Sequence, residues 1–79
     1  MKNKFVFEGH VLSISKVATG DYRYRVYNRN RHIIFYMTTY CCEAGDKIRI
    51  KGKLNQIGNN GLEFDHVKVL KRRRGKRNA

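Results

Sequence analysis

Between Lys47 and Leu54 the chain reads Lys-Ile-Arg-Ile-Lys-Gly-Lys-Leu, a strict period of two. In a β-strand every second side chain points to the same face. Ile48, Ile50 and Leu54 therefore face one way with Gly52 between them, and Lys47, Arg49, Lys51 and Lys53 face the other. A helix would scatter those cations around its axis. A strand with one apolar face has to bury it against other elements, so the chain must supply a sheet or a barrel to receive it.

The remaining sequence supplies further strands. Residues 5–15 set Phe5 and Phe7 against Val6, Leu12 and Ile14, with Gly9 inside the run. An internal glycine marks a bulge or sharp coil, so this long strand is expected to bend and serve two neighbours. Val17–Asp21 reads as a turn in which Gly20 supplies positive φ. Tyr22–Tyr27 alternates strictly, with Tyr22, Tyr24 and Val26 on one side and Arg23, Arg25 and Tyr27 on the other. Asn28–Arg31 is turn-prone, and His32–Thr38 returns as a third strand, so the two form a hairpin. Its faces are Ile33, Phe35 and Met37 against His32, Ile34, Tyr36 and Thr38.

Thr39–Gly45 breaks the alternation and has room for one helical turn, opened by Thr38 or Thr39 and closed by Gly45. After Lys47–Leu54, residues 55–61 read as a polar hairpin loop with Asn60-Gly61 as its turn signal. Leu62–Leu70 is a fifth strand whose apolar phase slips near His66, which points to a bulge. Five strands, a short helical insertion between the third and fourth, and no proline describe an all-β Greek-key barrel. Closure suits a chain of 79 residues, whose single core is small. The expected organisation is one domain over residues 1–70 and a disordered basic tail over 71–79.

Charge narrows the function. Lysine and arginine number 18 against 6 acids, a formal charge of +12, and the run Lys71, Arg72, Arg73, Arg74, Lys76, Arg77 carries six of these charges. The body keeps +6, so the basicity extends beyond the tail. Such a balance favours a polyanionic partner, nucleic acid before membrane. No apolar run approaches spanning length, no basic amphipathic helix is visible, and the N-terminal Met-Lys-Asn-Lys lacks the apolar core of a signal peptide. The expectation is a cytoplasmic protein without a membrane partner.

Cys41 and Cys42 are adjacent, a geometry that strains a disulfide, and a reduced pair is expected with one thiol half-buried. His10, His32 and His66 are scattered beside no Cys-x-x-Cys, so neither a metal site nor a cofactor is expected. The acids Glu8, Asp21, Glu43, Asp46, Glu63 and Asp65 build no nucleophile elbow, phosphate loop or metal pair, so no enzymatic activity is expected.

Flat rings interleaved with guanidinium groups suit unstacked bases and their phosphates. The best platforms are Tyr27 and Tyr36, with Tyr22, Tyr24 and Tyr40 behind them. Arg23, Arg25, Arg29 and Arg31 are candidates for phosphate contact or stacking, with His32 on the same outer surface. Lys47, Arg49, Lys51 and Lys53 form a second basic row, and Arg72, Arg73 and Arg74 an electrostatic anchor that adds affinity without sequence choice. Each has a plainer alternative. Strand aromatics pack cores and cross-strand pairs, and lysines solvate a barrel face or protect a sheet edge. Phe5, Phe7, Phe35 and Phe64 are expected in the core.

Two segments carry a family resemblance. Ala-Gly-Asp-Lys-Ile-Arg-Ile-Lys-Gly-Lys-Leu at 44–54 resembles the fourth-strand region of single-stranded DNA-binding proteins of the OB-fold, and Phe-Glu-Gly-His-Val-Leu-Ser-Ile at 7–14 their coiled first strand. The chain is most similar to minimal phage or mobile-element members and to primosomal OB proteins. It departs from bacterial single-strand binders in its short insertion, its lack of tryptophan and its basic rather than acidic end. The resemblance implies binding on Tyr22–Tyr27 and His32–Thr38, flanked by Ser15–Asp21 and Asn55–Gly61. It implies a sequence-tolerant binder of single-stranded DNA in replication or recombination. The same residues suit an RNA- or ribosome-binding factor. A third possibility is an accessory subunit, a homodimer or partner of a replication protein, docking through Ile34 or a strand edge.

Overall fold

The alternation of 47–54 is a strand, and it joins four others. A computed structural model of the chain describes residues 4–29, 31–58 and 61–75, with backbone alone for 56–58. Asn30, the tip residues Asn59 and Asn60, and Lys76–Ala79, all assigned from sequence to turn, loop or tail, lie outside the described residues. The strands are β1 (Lys4–Lys16), β2 (Tyr22–Asn28), β3 (Arg31–Met37), β4 (Lys47–Gly58) and β5 (Gly61–Arg73). They close a barrel in the order β1-β2-β3-β5-β4, all antiparallel except the β3–β5 pair. This is the expected all-β, five-stranded Greek-key barrel, OB-like in its strand order. No helix among the described residues is long and apolar enough to cross a membrane.

β1 serves two neighbours, as its glycine suggested. Lys4–His10 pairs with β4, and His10–Lys16 pairs with β2. The changeover falls at His10, directly after Gly9, where an added Cβ would collide with the Tyr27 carbonyl oxygen, so only glycine lets the strands approach this closely. A register shift between Val11 and Ser13 completes the bend. The β2–β3 hairpin pairs Asn28 with Arg31, and Arg29 takes the left-handed φ of 54° that a tight two-residue loop requires. In β5 the bulge sits where the apolar phase slips, with His66 at φ 53°.

The core follows the period of two. Tyr24 and Val26 of β2, Ile33 and Phe35 of β3, Ile48 and Ile50 of β4, Val11 and Phe64 are buried. Tyr24 stacks on its cross-strand partner Phe35, with ring centroids 4.9 Å apart and planes 9° from parallel. Tyr24 is thus a core residue and not a reserve platform. Phe5 departs in the other direction: it has the inward phase of β1 yet is 50 % exposed.

Besides β4, which continues to Gly58 through residues read as hairpin loop and pairs there with β5, two boundaries differ from the sequence reading. Residues 38–46 form bends and a turn, with no helix. Their backbone groups are claimed by side chains instead: Tyr24 OH donates to the Thr39 carbonyl at 2.8 Å and accepts the Cys41 N–H at 2.9 Å, and the Glu43 N–H donates to Asp46 Oδ2 at 2.9 Å. Such bonds compete directly with the first turn of a helix. The second difference is that Lys71–Arg73 belong to β5 and not to the tail, pairing with Arg49, Ile48 and Lys47. Backbone pairing is indifferent to side-chain charge, and Asp46, buried beside them, answers Arg72.

Candidate functional site

Residues whose neighbours turn inward must themselves turn outward, so the buried Tyr24, Val26, Ile33 and Phe35 fix the outer face of β2 and β3. Across the ladder Tyr27 lies opposite His32, Arg25 opposite Ile34 and Arg23 opposite Tyr36. On the other side of β2, β1 sets His10 against Tyr27, Ser13 against Arg25 and Ser15 against Arg23. The result is a three-by-three outer surface without a carboxylate. Tyr27 is 36 % and Tyr36 41 % exposed, so both rings are accessible to a ligand.

One row is aromatic throughout. The Tyr27 ring centroid lies 6.0 Å from His10 and 6.1 Å from His32, the latter edge to face. Tyr36 belongs to the row two steps away. At about 3.4 Å per residue and 4.8 Å between strands, Tyr27 and Tyr36 stand roughly 14 Å apart, so they can meet two different bases but not the same one. Between them Arg23 and Arg25 lie half-buried, and among the described residues no hydrogen bond or ion pair engages their guanidinium groups. Arg29 and Arg31 are exposed at the hairpin turn that ends this face.

The second basic row lies one strand further round. Lys47 pairs with His10 on one side and Arg73 on the other, so it prolongs the aromatic row around the barrel. Arg49 is 3.6 Å from Glu8 and partly neutralised by it. Lys51 and Lys53 pair with Val6 and Lys4 of β1, away from the tyrosines. The structure therefore assembles Arg23, Arg25, Tyr27, His32 and Tyr36 on one face and Arg29 and Arg31 at its rim. Lys47, Arg49, Lys51, Lys53 and Arg73 form an adjoining sector, and Arg74 follows β5.

Arg72 is committed elsewhere. Its Nε donates to Asp46 Oδ2 at 2.7 Å and its Nη1 to the Cys41 carbonyl at 3.3 Å. Burial of Asp46 acts to raise its pKa, but the N–H groups of Glu43 and Gly75 and the Arg72 guanidinium outweigh it and hold the carboxyl below its usual range. Arg72 thus clamps β5 to the 38–46 connection. Tyr22 and Tyr40 meet edge to face at 5.2 Å at the same end of the barrel, with Lys16 Nζ 5.7 Å from the Tyr22 centroid.

His10 was missed from sequence, since nothing local shows that the residue after Gly9 lies beside Tyr27. A stronger weight on glycine as a strand crossover was the available signal. The cysteines are both free, Cys41 half-buried and Cys42 buried, with sulfurs 3.2 Å apart. The Cys42 hydrogen bond pulls the Cys41 thiol down to about 6 against the opposing effect of burial, aided by Tyr24 OH and Arg72, and the same contact together with burial pushes Cys42 up. Among the described residues no cluster of three or more His, Cys, Asp or Glu side chains could hold a metal ion.

Fold and surface together define a class: a small OB-like barrel with a basic, aromatic outer face. The chain matches no protein-family model, no curated protein and no solved structure. The functional reading accordingly stands on the chain's own residues.

Proposed function

We propose that the protein is a sequence-tolerant binder of single-stranded DNA, acting in replication or recombination, and not an enzyme. The observation that carries this reading is the outer face of β1, β2 and β3, where Tyr27, Tyr36 and the two histidines alternate with Arg23 and Arg25 and no acid intervenes. Unstacked bases lie on the rings and phosphates meet the guanidinium groups, an arrangement blind to base identity because every base has a π-face. Catalysis has little to draw on. Glu8 is paired with Arg49, Asp46 with Arg72 and Asp65 with His66, three separate places on the barrel.

Intrinsic tyrosine fluorescence, in a chain without tryptophan, reports stacking directly. Titration with dT oligomers should quench it, and matched duplex should compete weakly. With three to five phosphates neutralised, the log–log salt slope should be about −2 to −4. Tyr27→Ala and Tyr36→Ala should each cost about 1–3 kcal/mol of binding. Equal affinity for duplex and single strand, or indifference to both substitutions, would refute the reading. Preference for rU over dT oligomers would move the partner to RNA on the same face.

A further inference from the structure

The two ends of the barrel are finished differently. Residues 38–46 close one end, where Cys42 is buried against the core. At the other end, where the β2–β3 turn and the start of β1 meet β4 and β5, no segment among the described residues covers the core. Phe5 has the same phase as Phe7 and Gly9, points into this opening and stays 50 % exposed. A cavity of about 190 Å³ lies there, walled by Phe5, Phe7, Leu54, Leu62 and Phe64 with Arg31 at its edge. Phe7 and Phe64 meet edge to face at 6.5 Å, so the walls are aromatic and ordered in angle. A second, shallower hollow of about 420 Å³ adjoins it, sharing Phe7 and Arg31 and adding Asn28 and Arg29. Among the described residues no acidic side chain lines either space.

We propose that this opening is a nucleobase pocket: a base of the bound single strand turns over the barrel rim onto Phe5, Phe7 and Phe64, while its phosphate is held by Arg29 and Arg31. The inference rests on the proposed single-strand binding and extends it to a site off the β2–β3 face. Charge and continuity select this occupant. Asn28 and Arg31 are the next ladder pair after Tyr27 and His32, so a strand crossing the aromatic row arrives directly at the two arginines. A ligand that fits must carry an anion beside a flat apolar part, as a nucleotide does. An apolar peptide side chain would satisfy the phenylalanines and leave the guanidinium pair without a partner.

Phe5→Trp in the full chain tests this, because it introduces the chain's single tryptophan in open space at the mouth of the cavity. Titration with a dT oligomer should quench the tryptophan emission over the same concentration range as tyrosine quenching in the unaltered chain. An abasic oligomer of equal length and charge should leave that emission unchanged. Phe5→Ala should weaken dT binding by about five- to one-hundred-fold and the abasic oligomer not at all. Tyrosine quenching with a silent tryptophan, or equal responses to dT and abasic strands, would overturn the pocket and leave face binding intact. A silent tryptophan whose emission instead responds to an apolar peptide would assign the opening to a protein partner and overturn the proposal. Absence of any binding by anisotropy would overturn both readings together.

Discussion

Asp46→Asn is the substitution whose effect follows most directly from the geometry. Asp46 is 4 % exposed, and its two carboxylate oxygens accept the Glu43 N–H at 2.9 Å, Arg72 Nε at 2.7 Å and the Gly75 N–H at 3.1 Å. Its own backbone carbonyl accepts the Val11 N–H at 2.8 Å, so β1, the 38–46 connection and the end of β5 all meet on this residue. Asparagine keeps the shape but carries one acceptor oxygen where aspartate carries two. Whichever way the amide turns, its NH2 faces an N–H donor. Two bonds lose the carboxylate's charge, about 1 kcal/mol each, and the third is lost for about 1–2 kcal/mol, a total of about 3–4 kcal/mol. Small domains hold 5–15 kcal/mol in all, so the urea midpoint should fall markedly. The pH dependence has a definite sign. A carboxyl held below its usual value near 3.8 in the folded chain contributes its stability above that value and loses it as pH falls through the depressed one. Urea melts should show a wide gap between the two proteins at pH 7 that narrows below pH 3.8. A gap under about 0.5 kcal/mol at pH 7, within the range of ordinary surface changes, would refute the reasoning, as would a gap unchanged in acid. Releasing Arg72 should also steepen the salt slope of single-strand binding by up to about 0.7, one further phosphate.

Tyr24→Phe keeps the 4.9 Å stack on Phe35 and removes both bonds of the hydroxyl, to the Thr39 carbonyl and the Cys41 N–H. It should cost about 2 kcal/mol and speed hydrogen exchange at the Cys41 amide; unchanged exchange there would show that the hydroxyl does not hold the connection. Cys41, pulled down to about 6, should react with iodoacetamide at a rate that levels off above about pH 7, while buried Cys42 is left unmodified. Cys42→Ala removes the leading cause of that shift and should move the rise toward the ordinary thiol range; a rate still climbing above pH 8 in the unaltered chain would contradict the assignment.

Which residues share a face of a strand was legible because a period of two is a local property, whereas which face of β2 and β3 turns inward was not, and in β1 the phase shift leaves Leu12 50 % exposed with Val11 buried. Tyr24 and Val26 on one side of β2 with Arg23, Arg25 and Tyr27 on the other, and Ile48 and Ile50 against Lys47 and Arg49, follow from alternation, while burial decides which side is the core. The bulge at His66 was legible for the same reason, as a break in that period, and the bend of β1 from the glycine inside it. Beyond the hairpins, which residue of one strand lies beside which residue of another is not local, and there the sequence was silent. His10 reaches Tyr27 only through the register of β1 on β2, and Asp46 reaches Arg72 across 26 residues.

Arg72 and Arg73 make the point most sharply, because they are identical in type and adjacent in a run that looks uniform. Pairing with β4 places Arg72 opposite the buried Ile48 and Arg73 opposite the exposed Lys47. One guanidinium therefore turns to Asp46 and the other to the outer surface. Their phase depends on bulges upstream in β5, at His66 and beside Leu70, so removing one bulge would shift the register by one residue and exchange the two roles. A count of cations in this run overstates the charge offered to a polyanion. Arg73→Ala should lower the salt slope of single-strand binding, while Arg72→Ala should act first on the urea midpoint.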